Sequence, residues 1–239
     1  MGERLSDIWV YLAASPLLAL TMTLVAFQAA SWLHAKAGRP ALLNPVLLTV
    51  AAVVAVLVLT GTSYETYFEG AQFIHFLLGP ATVALAIPLY RQFERVRRSA
   101  LAVAASILAG SLSAILASLS AGLVFGVDAA SLVSLAPKSA TAPVAMGIAE
   151  KLGGLPSLTA VFVILTGILG ASLGPPLLSL LRVRDDAARG LAIGTASHGI
   201  GTARALQESE VAGAFSGLAM GLNALATALL VPIVSALLF

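Results

Sequence analysis

Two uncharged stretches, residues 101–127 and 155–181, constrain this chain more than any other feature. Each is longer than the ~20 apolar residues needed to cross a hydrocarbon core. Backbone in lipid must satisfy its own N–H and C=O groups, which makes such spans helical. Composition agrees. The chain is 59% hydrophobic and 10% charged, whereas soluble domains carry about 25% charged residues. The expected class is an all-α, polytopic protein with the lipid bilayer as its solvent. A net charge of +2 is too small to argue for nucleic acid. With no cysteine, disulfides, thiolate catalysis and Cys-based metal sites are excluded. The first apolar stretch, 8–33, is too long for the core of a removable leader.

Further apolar segments cover about 41–59, 71–93, 190–207 and 211–239. Charge placement orders them. Cytoplasmic loops carry excess Lys and Arg. Placing Lys36 and Arg39 inside puts the acidic loop 61–70 outside and the cluster Arg91, Arg95, Arg97, Arg98 inside. The stretch 128–154 is apolar but broken around Pro137. If it crosses, Arg182, Arg184 and Arg189 fall outside. If it dips and returns, they fall inside with the other clusters. The expectation is about seven transmembrane helices plus one re-entrant hairpin, the hairpin tip lying near Pro137 to Thr141. Eight full spans is the rival topology.

Two segments, 71–93 and 190–207, read as broken helices because of Gly79-Pro80 and of Gly194, Gly199 and Gly201. Residues 79–92 align loosely with 194–207, so a single domain 1–239 is expected to hold an inverted repeat. Its units are 41–127 and 155–239, linked by 128–154. Interrupted segments in corresponding positions mark solute sites in carriers. His198 lies in the second break between Ser197 and Thr202, and an intramembrane ionisable residue is a functional candidate. Its other reading is a neutral hydrogen-bonded core histidine. Arg204 pairs a carboxylate or snorkels to an interface. Lys138, with Ser139 and Thr141 beside it, sits at the expected hairpin tip, where a lysine needs an anion or water. No nucleophile–base pair and no metal-ligand spacing is visible, so neither an enzyme nor a cofactor is expected.

The segments Leu78-Gly-Pro-Ala-Thr-Val-Ala-Leu-Ala-Ile-Pro, Pro137-Lys-Ser-Ala-Thr-Ala-Pro, Thr166-Gly-Ile-Leu-Gly and Arg189-Gly-Leu-Ala-Ile-Gly-Thr-Ala-Ser-His-Gly-Ile-Gly-Thr resemble those of the LrgB/CidB family. The resemblance runs from about Asn44-Pro45 to the C-terminus. It implies a multi-pass protein of the bacterial inner (cytoplasmic) membrane. It also implies two roles. One is the transport of small monocarboxylates (a plastid relative moves glycolate and glycerate, and bacterial relatives are linked to pyruvate). The other is holin- or antiholin-like modulation of murein hydrolase activity and lysis, with a small LrgA/CidA-type membrane partner. Asn44, Thr82, Lys138, Ser139, Thr141, His198 and Thr202 fall in the signature segments and join Ser197 and Arg204 as candidate substrate-binding residues. The expected activity is secondary transport of a small carboxylate, with possible proton coupling through His198 and a possible homodimer.

Overall fold

The structure, a computed structural model, describes residues 16–38, 43–84 and 86–238. Among them every regular element is helical. The chain divides between residues 84 and 85 into two compact units.

The first unit contains α1 (Pro16–Lys36), α2 (Pro45–Thr60) and α3 (Tyr64–Ala84). Both α2 and α3 pack on α1. Thr23 and Tyr67 share a 2.9 Å hydrogen bond between α1 and α3. Asn44 starts α2. Its Oδ1 accepts the N–H of Val46 at 2.9 Å and of Leu47 at 3.4 Å, and Pro45 follows at the position where a missing N–H costs nothing. Gly61 ends α2 in the left-handed conformation, with φ 66°.

The second unit runs through α4 (Ala86–Arg91), α5 (Phe93–Arg98), α6 (Ala100–Val124), α7 (Ala129–Leu135), α8 (Ala142–Lys151), α9 (Pro156–Leu180), α10 (Asp186–Glu208) and α11 (Glu210–Leu238). Four described helices are long and apolar enough to cross a bilayer: α1, α6, α9 and α11.

Residues 129–151 form a helical hairpin. Asp128 caps α7 by accepting the Ser131 N–H at 3.0 Å. A Pro-containing bend follows α7, and α8 returns from it. The return is fixed where the Leu155 N–H donates to Ser134 Oγ at 2.7 Å. Leu132, Ala136 and Ile148 seat the hairpin in an apolar cluster with Ile115, Leu119, Val231 and Val234 of α6 and α11. Its two ends, Ala129 and Gly153, border one cavity with Pro232 and Ala236 of α11.

The segment 190–207, read as a broken transmembrane helix, folds back on itself. It is a second hairpin. Arg189 and Glu208 stand 19 positions apart, about 28 Å along a straight helix. Yet their side chains are ion-paired at 3.0 Å. The reversal occurs at Ser197 (φ −131°, ψ 15°) and His198 (φ 42°, ψ −137°). Beyond it Gly201 packs on Ile193, and Ala205 joins Ile193 in one cluster. The sequence pattern conceals this because the chain reverses without proline.

Glycine lets the second hairpin nestle. A Cβ at Gly190 would overlap the Ala212 carbonyl, and one at Gly194 the Ser216 carbonyl, both on α11. On α9, Gly167 and Gly170 leave room for His198 and Ser197. This explains the Gly-Ile-Leu-Gly spacing, since positions three apart share a helix face.

The basic clusters gather at one end of this unit. Arg95 pairs with Asp185 at 2.9 Å and Arg91 with Glu210 at 3.4 Å.

Candidate functional site

The two hairpins enter from opposite ends, and the tip of each reaches Val163 of α9 near the middle of the unit. Along α11, the first hairpin starts beside Pro232 and Ala236 and reaches Asn223, whose Nδ2 donates to the Ser139 carbonyl at 2.9 Å. The second starts beside Ala212 and reaches Met220, which faces Gly199. Val163 of α9 touches both tips. Its side chain packs with Ala140 and Ala145 of the first hairpin, and its carbonyl accepts the His198 Nε2–H at 2.8 Å.

Each tip interrupts a helix, and each interruption frees backbone groups that water cannot reach in a membrane. At the second tip Thr202 Oγ1 donates to the His198 carbonyl at 2.9 Å and shares a 3.0 Å hydrogen bond with Ser216 of α11. Ser197, His198 and Thr202 are all buried. His198 holds a backbone geometry rare outside glycine, worth ~1–3 kcal/mol of strain. Such strain persists where the surroundings over-determine it, commonly at functional sites. The Val163 carbonyl requires a proton on His198 Nε2, which fixes the tautomer of the neutral ring.

At the first tip Thr141 opens α8 without a side-chain cap, so the first N–H groups of α8 receive no partner from it. Ser139 is buried. Lys138 is half-buried, and among the described residues no carboxylate lies within ion-pairing distance of it. The acidic residues of this unit are Glu94, Asp128, Glu150, Asp185, Asp186, Glu208 and Glu210. All of them lie at helix ends or hairpin bases, so the level of the tips carries one fixed cation and no anion. With helix N-termini nearby, that balance favours a single negative charge.

The other expected residues lie elsewhere. Arg204 sits near the base of the second hairpin, 3.7 Å from Glu208. Asn44 belongs to the first unit, where it caps α2. The side chain of Thr82 lies outside the described residues.

Sequence reasoning missed Asn223. It is fully buried near the midpoint of α11. Besides holding Ser139, it accepts the Ser111 hydroxyl of α6 at 2.5 Å and the Thr227 hydroxyl at 3.5 Å. One amide thus ties α6, α11 and the first hairpin. The available signal was a lone amide in an uncharged span, a residue type that hydrogen-bonds between membrane helices.

Helices of membrane-spanning length and paired hairpins define a multi-pass membrane protein. The chain belongs to the LrgB-like family, whose sequence profile matches residues 23–237. It is 39% identical over 222 residues to uncharacterized protein YxaC of Bacillus subtilis, covering 93% of this chain and 96% of the relative. It is also 39% identical to uncharacterized protein YwbG of the same organism, covering 77% of this chain and 82% of the relative. Holin-like protein CidB of Staphylococcus aureus is 35% identical over 217 residues, covering 91% of this chain and 94% of the relative. No solved structure matches.

Proposed function

We propose that the chain is a secondary carrier of short monocarboxylates, of the glycolate, glycerate or pyruvate kind, in the bacterial cytoplasmic membrane. The observation that carries this reading is the meeting of two opposed hairpin tips at Val163. A carrier needs a central site reachable from either face, with little protein separating the site from each face. Opposed hairpins supply that arrangement, because each encloses the site from one side. Lys138 supplies the counter-charge to a carboxylate, and the N-termini of the returning arms supply donors. Ser139 and Thr141 of the first tip and Ser197 and Thr202 of the second supply hydroxyls from the two sides of that level, and His198 is the group placed for coupled proton movement. An inverted repeat with bounds other than 41–127 and 155–239 fits this reading: α6 with the first hairpin and α9 with the second, since each is a long helix followed by a fold-back.

The name of the staphylococcal relative supports a second reading. There the chain is holin-like, as that name says, and the family resemblance adds modulation of murein hydrolase activity with a small LrgA/CidA-type membrane partner. Uptake of labelled glycolate or pyruvate into proteoliposomes separates the two. The carrier reading expects saturable uptake, reduced at least tenfold by Lys138→Gln, an effect of about 1.4 kcal/mol. Folded protein with no uptake above empty vesicles overturns it. Copurification of a small membrane protein, with a lysis phenotype and no flux, establishes the accessory role.

A further inference from the structure

We propose that the cavity where α9 ends and α10 begins binds the phosphate headgroup of an anionic phospholipid. This site is separate from the hairpin tips and does not depend on the carrier reading. The cavity encloses about 360 Å³ and is lined by Ser179, Arg182, Val183, Arg184, Asp186 and Arg189.

Charge pairing singles it out. Of the described arginines, Arg91, Arg95, Arg97, Arg98, Arg189 and Arg204 all pair with carboxylates. Arg182 and Arg184 pair with none, and both border this cavity. Arg189 is neutralised by Glu208. It also stiffens the cavity wall by donating to Ser179 Oγ at 3.3 Å and to the Val183 carbonyl at 3.1 Å. Against the one carboxylate of Asp186, two free guanidiniums leave the cavity net positive. Guanidinium forks match phosphate oxygens in pairs.

Backbone geometry is the second observation. Arg182 follows the end of α9 with φ 59°. Its N–H bonds the Ser179 carbonyl, and that of Val183 bonds the Leu178 carbonyl. This is the helix-ending turn whose left-handed position normally holds glycine. Here a strained arginine occupies it and borders the cavity.

The third observation points to a lipid. Leu173, Leu177, Leu180 and Leu181 form an exposed apolar face on the last turns of α9, from 51% to 78% exposed. The face runs up to Arg182. An acyl chain lying along these leucines would bring its phosphate to the two free arginines, at the level where basic residues attract anionic lipids.

The test is thermal unfolding of the detergent-purified full chain with phosphatidylglycerol or phosphatidylcholine added. Phosphatidylglycerol is expected to raise the midpoint by about 5 °C over phosphatidylcholine. Arg182→Gly suits the left-handed turn and so folds. It and Arg184→Gln are each expected to lose at least half of that rise. An equal rise in both variants, or no rise in the wild type, overturns the proposal. So does inorganic phosphate reproducing the full rise in phosphatidylcholine, which would make the ligand a soluble anion.

Discussion

The two hairpins reach the same level by different means. The first, 129–151, separates its arms with a bend around Pro137 and is held by side chains: an apolar cluster on α6 and α11, with Asn223 grasping the tip. Its glycine at Gly147 has open space where a Cβ would stand. The second, 186–208, reverses at two residues and is held by close backbone approach, with Gly190 and Gly194 against α11 and a charge clamp at its base. The difference is one of tolerance. Side-chain packing yields by degrees when a neighbour changes, while backbone in contact with backbone has nowhere to go.

Three measurements could break this contrast. The largest effect is expected from paired glycine substitutions, read by thermal unfolding in detergent. Gly194→Ala drives a methyl into the Ser216 carbonyl and should cost about 3 kcal/mol. Gly147→Ala meets nothing and should stabilise by about 0.5–1 kcal/mol, the gain of alanine over glycine inside a helix. Equal effects would erase the distinction.

Next comes the clamp. Arg189 and Glu208 are 13% and 15% exposed, so removing one charge strands the other in a poorly solvated place. Glu208→Ala should cost about 2 kcal/mol, the worth of a charge-assisted hydrogen bond, and open the second hairpin at its base, seen as faster hydrogen exchange over 186–208 than over 129–151. Uniform exchange would place the strength of that hairpin elsewhere.

The smallest effect belongs to the first hairpin's cap. The hydroxyl and N–H of Ser131 hold the exposed Asp128 carboxyl below the usual carboxylate range. A lowered folded pKa means that the stabilisation is complete above the ordinary carboxylate pKa and is lost as pH falls through the folded value. Asp128→Asn still caps the helix, so it should flatten that acid-side slope while leaving neutral-pH stability nearly unchanged. A slope that survives the substitution assigns it to another carboxylate.

Much of the architecture is legible in the sequence because solvent imposes it. Uncharged runs announce α6 and α9. The basic clusters announce a shared end, which the Arg95–Asp185 and Arg91–Glu210 pairs complete. The first hairpin shows through the break around Pro137 and through Arg182, Arg184 and Arg189, which join the other basic clusters only if 128–154 dips and returns. The second stays hidden for two reasons. Its reversal depends on the backbone angles of His198, a residue with no turn preference strong enough to announce them. Its glycines Gly194, Gly199 and Gly201 announce a break but not that the chain turns back there. Asn223 stays hidden because its partners lie 84 and 112 positions away. No local pattern encodes such contacts.

That amide also has a bearing on the order of assembly. It belongs to α11, while the groups it satisfies, Ser111 and the Ser139 carbonyl, belong to helices and loops synthesised much earlier. Until α11 inserts, the first hairpin tip has no hand to hold it at depth. The first hairpin tip is therefore secured only once α11 is in place, and a nascent chain halted before Asn223 would leave Ser111 and the Ser139 carbonyl without this partner.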